Sequence, residues 1–419
     1  MTQKMNRWNR RVLIGRAVLV SVVALGCGPL PEGEPGTPHI SEPEAPEGPE
    51  IDTVRVGFDA ATAVRNLHSQ IGGLEDALAR NPQFHPYREQ LVSLYLERSR
   101  FLGSYATDFR RALALVTEAR ERRSDDAAAW RLSSMVERGL HLFDAAEASL
   151  DRAAAIDGAD DLPARAALAL ARGEDLREHV ATAKAQAALY PNPANLSFLA
   201  ALLAGRGQFD DADAHYREAL AAYRDNSPFF LARIAFQRGV MWGEMADRPE
   251  WARPLYEEAV RRLPDYVVAN VHLAELEIEA EETLSAVARL ERVLDAEDPE
   301  PEGRLAEYIH AGDAERAEAL RAQARSTYDT LLESYPLAFA DHASEFFSGG
   351  GADPQRALRL AEQNLQNRQD PRAYLIAIRA ALSARESPRA CALLTQAQPL
   401  VSVHPVLASE LSELAPTCP

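Results

Sequence analysis

Apolar residues recur along most of this chain with the spacing of amphipathic helices. The clearest stretch is 207–220, where apolar side chains fall at i, i+3, i+7 and i+10 and therefore share one helical face. That face alternates large with small residues: Phe209, Ala212, Tyr216 and Ala219. The preceding helix supplies a second apolar face, made of Leu196, Leu199, Ala200 and Leu203. Two such helices are predicted to pack as a hairpin, with the alanines at the close contact.

Prolines divide the body of the chain at an almost constant interval of 34 to 37 residues. The seven prolines are Pro193, Pro228, Pro264, Pro299, Pro336, Pro371 and Pro405. Because proline lacks an amide donor and clashes inside a helix, each one marks a junction between helices. A period near 34 with helical segments between the junctions is typical of a helical-hairpin repeat.

Segment 207–220 resembles the second helix of a tetratricopeptide repeat (TPR), in which small residues admit the paired helix and aromatic residues fill the gap to the next repeat. The following repeat has the same residue types at the same offsets, at Ala252, Tyr256 and Ala259. The resemblance covers about residues 85–400. It implies an all-α fold, a right-handed α-solenoid of roughly eight to ten TPR-like helical hairpins. A capping helix is expected at residues 403–414.

The N-terminus has the features of an export signal. A basic segment precedes ten apolar residues, Ala17 to Gly26, which are too few to cross a bilayer that requires about 20. The run ends in Ala24-Leu25-Gly26-Cys27, which resembles the lipobox of bacterial lipoproteins. The resemblance implies a signal peptide over residues 1–26 and a diacylated Cys27 that anchors the chain in a membrane. The alternative is an ordinary cleavable signal followed by a buried cysteine.

Residues 27–52 are predicted to be a disordered tether. Positions 28–50 contain seven Pro, four Gly, six Glu and no basic residue, so they bury too little apolar surface to offset their ordering entropy. Residues 53–419 form the predicted solenoid with its capping helix. Gly28, rather than Asp, follows the lipid cysteine. By resemblance to enteric lipoproteins, this implies the bacterial outer membrane, with the protein facing the periplasm or the cell surface.

Charge and composition restrict the partners. Acidic residues outnumber basic ones by 63 to 45, which gives a net charge of −18. Such a surface repels phosphate backbones, so nucleic acid is excluded and a protein partner with a basic face is expected. The hydrophobic fraction of 47% supports a packed core, and the low aromatic fraction of 7% favours closely packed helices over a β-sandwich.

The sequence contains no phosphate loop and no signature of a zinc protease, a serine hydrolase or a dinucleotide-binding fold. We therefore expect no enzymatic activity, no cofactor and no metal.

The same His–Glu spacing occurs twice, in His272–Glu275 and in His342–Glu345. It places His and Glu one helical turn apart, where they could share a metal. However, both pairs occupy the same register of their repeats. Duplication and common packing produce that arrangement without a metal, and this structural interpretation is preferred.

Cys391 and Cys418 are the only thiols that remain if Cys27 is acylated. Export places them in an oxidising compartment, and they flank the proposed capping helix. The sequence therefore predicts a disulfide between them, with two separate thiols as the alternative.

In TPR proteins the first helix of each repeat lines a concave groove that holds a peptide or a partner helix. Transferring the groove positions by register selects residues of mixed polarity from four repeats. They are Arg131, Met135, Arg138, Gln237, Met241, Glu275, Ile278, Leu375 and Arg379. The apolar members are expected to anchor a protein partner, and the arginines to fix its register.

The expected function is that of a membrane-anchored, non-enzymatic scaffold for protein–protein interaction in the cell envelope, in outer-membrane, pilus or polysaccharide-export assembly. The alternative is a helical-repeat lipoprotein that binds glycan or peptidoglycan. A glycan site would require exposed aromatic residues along the groove. The predicted mature chain has only three tryptophans: Trp130, Trp242 and Trp251.

Overall fold

The computed structural model describes residues 48–51, 59–414 and 418 of this chain. Residues 59–414 form helices joined by short turns, without a β-strand, so the fold in that part is all-α as predicted. The helices are α1 (Ala60–Arg80), α2 (His85–Leu102), α3 (Tyr105–Arg122), α4 (Ala127–Gly139), α5 (Phe143–Asp157), α6 (Leu162–Arg172), α7 (Arg177–Leu189), α8 (Pro193–Gly205), α9 (Phe209–Ala222), α10 (Pro228–Val240), α11 (Pro249–Arg262), α12 (Val267–Glu279), α13 (Thr283–Glu291), α14 (Glu300–Ile309), α15 (Ala314–Ser334), α16 (Ala340–Ser348), α17 (Pro354–Asn367), α18 (Pro371–Ser383), α19 (Ser387–Ala397) and α20 (Pro405–Leu414). A π-helical turn, Met241–Met245, extends α10, and a 3₁₀ turn, Gln398–Val403, precedes α20.

Helices α2 to α19 pair consecutively as nine hairpins within residues 85–397, with α1 before the first and α20 after the last. Neighbouring hairpins pack on each other in sequence, which makes the array a solenoid; their first helices are in contact in several places, as α2 with α4 and α16 with α18. The predicted packing face of α9 is buried as expected: Ala212, Tyr216 and Ala219 are at most 2% exposed. Small residues are required there because the paired helices approach closely.

The prolines lie at the junctions that the sequence predicts. Pro193, Pro228, Pro371 and Pro405 are the first residues of α8, α10, α18 and α20. At this position the missing amide donor costs nothing, because the first amides of a helix have no intrahelical partner. Polar residues cap the same helix starts. For example, the Asp370 carboxylate accepts a hydrogen bond from the Ala373 amide at 2.7 Å.

The solenoid closes on itself after about two hundred residues. Turns within the early hairpins contact turns between the late hairpins. The His141 ring lies 3.1 Å from the Leu337 carbonyl oxygen, 196 residues further along the chain. The Gln369 amide donates to the Arg172 carbonyl at 3.0 Å, and Gly207 lies against the backbone of Val403. Each superhelical turn therefore rests directly on the previous one. The inner face is therefore a lumen walled by stacked superhelical turns, whereas the repeat family implies a concave groove.

A disulfide joins Cys391 of α19 to Cys418, with the two Cα atoms 5.5 Å apart. It ties the residues after α20 back to the last hairpin. Partly buried Cys418 also packs against the apolar cluster of α18 to α20. The C-terminal end is the point from which a repeat array frays, so a crosslink here restricts local unfolding.

We expect replacement of Cys391 by Ser to release the C-terminal cap locally. Loop closure over this span contributes about 3 kcal/mol before native-state strain is subtracted. Hydrogen exchange should therefore accelerate in α19 and α20 and remain unchanged in α8 and α9, which serve as the internal control. Equal protection of α20 in the variant and the wild type would contradict this prediction.

Candidate functional site

The lumen contains a cavity of about 600 Å³ between early and late hairpins of the solenoid. Its wall is built from residues 170–177 and 205–206, from α10 with its π-helical turn Met241–Met245, from α11, α12, α14, α16 and α18, and from the segment that leads into α20. The lining includes an apolar set, Met245, Leu375, Ile376, Leu400, Val403 and Val406. It also includes a charged set, to which Glu244, Arg304 and Arg372 belong. The cavity thus offers two kinds of surface to one ligand.

Arg372 and Glu244 join distant repeats across the lumen. The Arg372 guanidinium lies 3.2 Å from the Glu244 carboxylate and 2.9 Å from the Glu345 carboxylate. Glu244 also lies 2.8 Å from Nδ1 of His272. Since these groups come from α10's π-helical extension, α12, α16 and α18, the charges fix the relative positions of four hairpins.

A second set of ion pairs continues from His272. Glu275 lies 3.6 Å from Nδ1 of His272 and 2.8 Å from the guanidinium of Arg304. Arg304 also approaches Glu300, which lies 3.6 Å from Nδ1 of His342. The two equally spaced His–Glu pairs, His272–Glu275 and His342–Glu345, thus belong to one charge network. In this network each carboxylate lies near an arginine or histidine cation. The buried negative charges are therefore compensated more completely than they would be by one His–Glu pair alone.

The described residues contain no group of three or more His, Cys, Asp and Glu side chains arranged to hold a metal ion. His272 instead stacks on the ring of Tyr256, with centroids 5.5 Å apart, while its Nδ1 faces Glu244. His342 lies in the equivalent place of its own hairpin and faces Glu300. The shared register of the two pairs therefore corresponds to shared packing and ion pairing.

The network keeps both histidines protonated at neutral pH. Burial alone would lower the pKa of His272, but the carboxylates of Glu244, Glu275 and Glu300 together outweigh burial and raise this pKa to about 9. Burial likewise opposes the charge of His342, while Asp341 and Glu300 raise its pKa to about 10. A protonated imidazole has no free lone pair with which to accept a proton.

We expect the network to weaken in alkaline solution. The raised pKa of His272 means that its contribution is complete below pH 6.5 and is lost as the pH rises through about 9. The free energy of unfolding should fall by on the order of 3 kcal/mol across that window from this group. Urea denaturation of the wild type and of His272→Gln at pH 7 and pH 10 measures the difference. A wild-type loss no larger than that of His272→Gln would contradict the assignment.

The nine residues selected by repeat register are dispersed by the structure. Glu275, Leu375 and Arg379 line the cavity. Met241 is only 1% exposed and packs in the core between hairpins. Arg131 forms an ion pair with Asp157 at 2.7 Å.

The other four lie outside the cavity wall. Met135 and Ile278 are partly buried against the hydrophobic core. Arg138 is partly buried on α4, and this burial lowers its pKa. Oε1 of Gln237 is buried and has no hydrogen-bond partner in the described structure.

Arg304 and Arg372 are the cavity residues that register reasoning missed. Arg372 is the second residue of α18, and the second position of a first helix is a groove position in the repeat family. The register rule therefore contained a signal for this residue. Arg304 had no comparable signal, because the two helices of its hairpin, α14 and α15, have unequal lengths of 10 and 21 residues and depart from the regular repeat.

Residues 48–51, which the sequence places in the tether, contact the solenoid. The Glu50 carboxylate lies 3.0 Å from the guanidinium of Arg217, and the Glu50 carbonyl accepts from Arg238 at 3.1 Å. Ile51 packs against the core formed by α6 to α11. We call residues 48–51 the docked segment.

Cys27 and the predicted signal peptide lie outside the described residues. Within them, no helix has the length and the apolar character needed to cross a membrane.

No protein-family model and no curated protein matches this chain. Solved structures with a similar helical build include the APC/C hetero-tetramer Cut9–Hcn1, with a TM-score of 0.42 and 11% identity over 84% of this chain and 73% of that chain. A tetratricopeptide repeat protein from Parabacteroides merdae has a TM-score of 0.36 and 16% identity, covering 60% of this chain and 96% of its own. Yeast Tom70 has a TM-score of 0.31 and 13% identity, covering 81% and 90%. At these values the likeness concerns the fold and indicates no function.

Proposed function

We propose that this chain is a lipid-anchored, non-enzymatic protein of the bacterial cell envelope that receives a short segment of a protein partner in its lumen cavity. The observation that supports this proposal is the cavity itself, whose wall combines apolar side chains with charges that are held in ion pairs. Its volume of about 600 Å³ lies in the range of sites that enclose a small ligand or a few residues of a peptide.

The charges of the cavity are held in place before a partner binds. Glu244, Glu345 and Arg372 are oriented by one another at 2.9 and 3.2 Å. A partner therefore does not have to order them, and preorganisation of this kind increases affinity by reducing the entropy lost on binding. Leu375 and Ile376 provide the apolar contact area. The arrangement suits a segment with both polar and apolar side chains.

The protonation states favour binding over chemistry. The raised pKa values of His272 and His342 keep both protonated at neutral pH, whereas burial lowers the pKa of His404, which lines the cavity, to about 4. A general base needs a pKa near the working pH. The glycan alternative receives less support, because the described lining contains no tryptophan and its two tyrosines, Tyr256 at 2% exposed and the partly buried Tyr308, offer little open ring surface.

Capture of a partner from detergent-solubilised membranes, compared across matched variants, tests this proposal. Leu375→Ala removes apolar area from the cavity wall and should weaken binding by about 1–2 kcal/mol. Leu284→Ala makes the same chemical change at a position that is 87% exposed, and it should retain the partner. Circular dichroism controls for helix content. Equal capture by both variants, or recovery of glycan without protein, would overturn the proposal.

The anchor is tested separately at Cys27. Cys27→Ser should abolish metabolic labelling with palmitate and release the chain from the membrane fraction, because it removes the thiol that is acylated in the predicted lipobox. Cys418→Ser serves as the control and should keep its label. Normal labelling of Cys27→Ser would refute the anchor while leaving the cavity proposal standing.

A further inference from the structure

One wall of the lumen cavity is a short segment that follows the last hairpin. Residues 398–414 comprise the 3₁₀ turn Gln398–Val403, His404 and helix α20, and we call them the C-terminal lid. Helix α20 packs both on α18 and on the π-helical turn Met241–Met245, so the lid bridges two parts of the cavity wall. Four lid side chains line the cavity: Leu400, Val403, His404 and Val406. A ligand that fills the cavity therefore touches the lid.

The lid is packed less tightly than α18, the helix on which it rests. In α18, eight of the 13 residues are buried. The 3₁₀ turn of the lid has no buried residue, and α20 has two, Leu407 and Leu411. Segments with few buried apolar contacts open locally at a lower free-energy cost than the core of the same protein. The lid is therefore the part of this wall that opens most easily.

Polar and backbone contacts join the lid to the rest of the solenoid. The Arg379 guanidinium of α18 lies 2.8 Å from the Glu410 carboxylate of α20. Gly207, in the turn after α8, lies against the backbone of Val403. Within the lid, Nδ1 of His404 accepts a hydrogen bond from the Leu407 amide at 3.1 Å and so caps the start of α20. The lid can therefore move as a folded unit once its outer contacts break.

The disulfide limits how far the lid can move. The lid begins directly after Ala397, the last residue of α19. Cys418, which follows the lid, is bonded to Cys391 of α19, with the two Cα atoms 5.5 Å apart. Both ends of the lid are thus attached to the same helix. A segment held at both ends has fewer open conformations than one held at a single end, so the crosslink disfavours opening.

We propose that the C-terminal lid is the movable wall through which a ligand enters the lumen cavity, and that the Cys391–Cys418 disulfide restricts its opening. This inference rests on the proposed function, in which the cavity receives a segment of a protein partner. Outward movement of the lid uncovers Leu375 and Ile376 of the apolar lining. It leaves intact the hydrogen bond between Gln369 and Arg172, which separation of the superhelical turns would break.

Reaction of a cavity thiol with N-ethylmaleimide tests the proposal in the full chain. Leu375→Cys places the thiol on the cavity wall, at a position that is 6% exposed. With the disulfide intact, this thiol should react slowly relative to the same chain unfolded in urea. Adding Cys391→Ser and Cys418→Ser should accelerate the reaction at least about tenfold, because the lid is then attached at one end only. Peptide mass spectrometry locates and quantifies the label.

Leu132→Cys is the matched control, because Leu132 is also 6% exposed and lies on α4 in the second hairpin, whereas the lid follows the ninth. Removal of the crosslink should leave its reaction rate unchanged. The proposal is overturned if the rate at position 375 does not rise without the crosslink, if both positions accelerate equally, or if position 375 reacts as fast with the disulfide intact as in urea. No partner takes part in these measurements, so capture of the partner remains an independent test of the proposed function.

Discussion

Gly173→Ala is expected to destabilise the solenoid by about 2–5 kcal/mol. Gly173 ends α6 with a φ of +76°, and a Cβ added there would lie 2.7 Å from the backbone nitrogen of Asp370. The left-handed conformation costs an alanine roughly 1–2 kcal/mol, and overpacking adds about 1–3 kcal/mol. Relief would require the two superhelical turns to separate, which would break the hydrogen bond between Gln369 and Arg172.

Gly158→Ala is the control for this prediction. Gly158 also has a positive φ, +74°, but nothing lies within 4 Å of the added Cβ. This substitution therefore measures the backbone strain alone, about 1–2 kcal/mol. Urea denaturation of both variants gives the difference, which is the cost of the contact between turns. Equal destabilisation by Gly173→Ala and Gly158→Ala would show that the turns do not rest on each other.

Asp213→Asn is expected to cost about 3–5 kcal/mol, because it leaves a buried arginine without its counter-ion. Arg238 is 1% exposed and donates to both carboxylate oxygens of Asp213, at 2.8 and 3.0 Å. Nε1 of Trp242 donates to the same carboxylate at 3.1 Å. Arg238 cannot lose its proton at accessible pH, so its charge would remain buried.

The same substitution at Asp157 provides the comparison. Asp157 accepts two hydrogen bonds from Arg131, at 2.7 and 3.0 Å, so the bidentate geometry is matched. That pair is largely exposed, and water and salt screen it. Asp157→Asn should therefore have only a small fraction of the effect in the same urea titration. Similar losses for both variants would mean that the burial of Arg238 contributes little.

Asp213→Asn should also release the docked segment, since Arg238 donates to the Glu50 carbonyl. Limited proteolysis near residues 48–51 should accelerate in this variant and remain unchanged in Asp157→Asn. Persistent protection would indicate that Ile51 and the Glu50–Arg217 pair hold the segment without Arg238.

The sequence by itself determined the local structure of this protein. Periodic apolar residues predicted the helices, as Tyr216 and its alanine neighbours show. The prolines placed the junctions, and Pro193 and Pro371 begin the helices that they were expected to begin. These features depend on contacts within one hairpin or between adjacent ones, so residues fewer than about 40 positions apart specify them.

Only the tertiary structure decided how the inner face is arranged. The resemblance to the repeat family predicted a concave groove. In the structure, the small rotation between successive hairpins accumulates until loops 196 residues apart in the sequence, at His141 and Leu337, make contact. The contact between superhelical turns results from the rotations at many hairpin interfaces added together, and no single sequence motif specifies it. It brings Arg372 to Glu244 and Gly207 to the Val403 backbone, whereas Met241 is buried in the core between neighbouring hairpins. The charge network and the cavity therefore arise from the long-range winding of the solenoid, because side chains many repeats apart can meet only after the superhelix has closed.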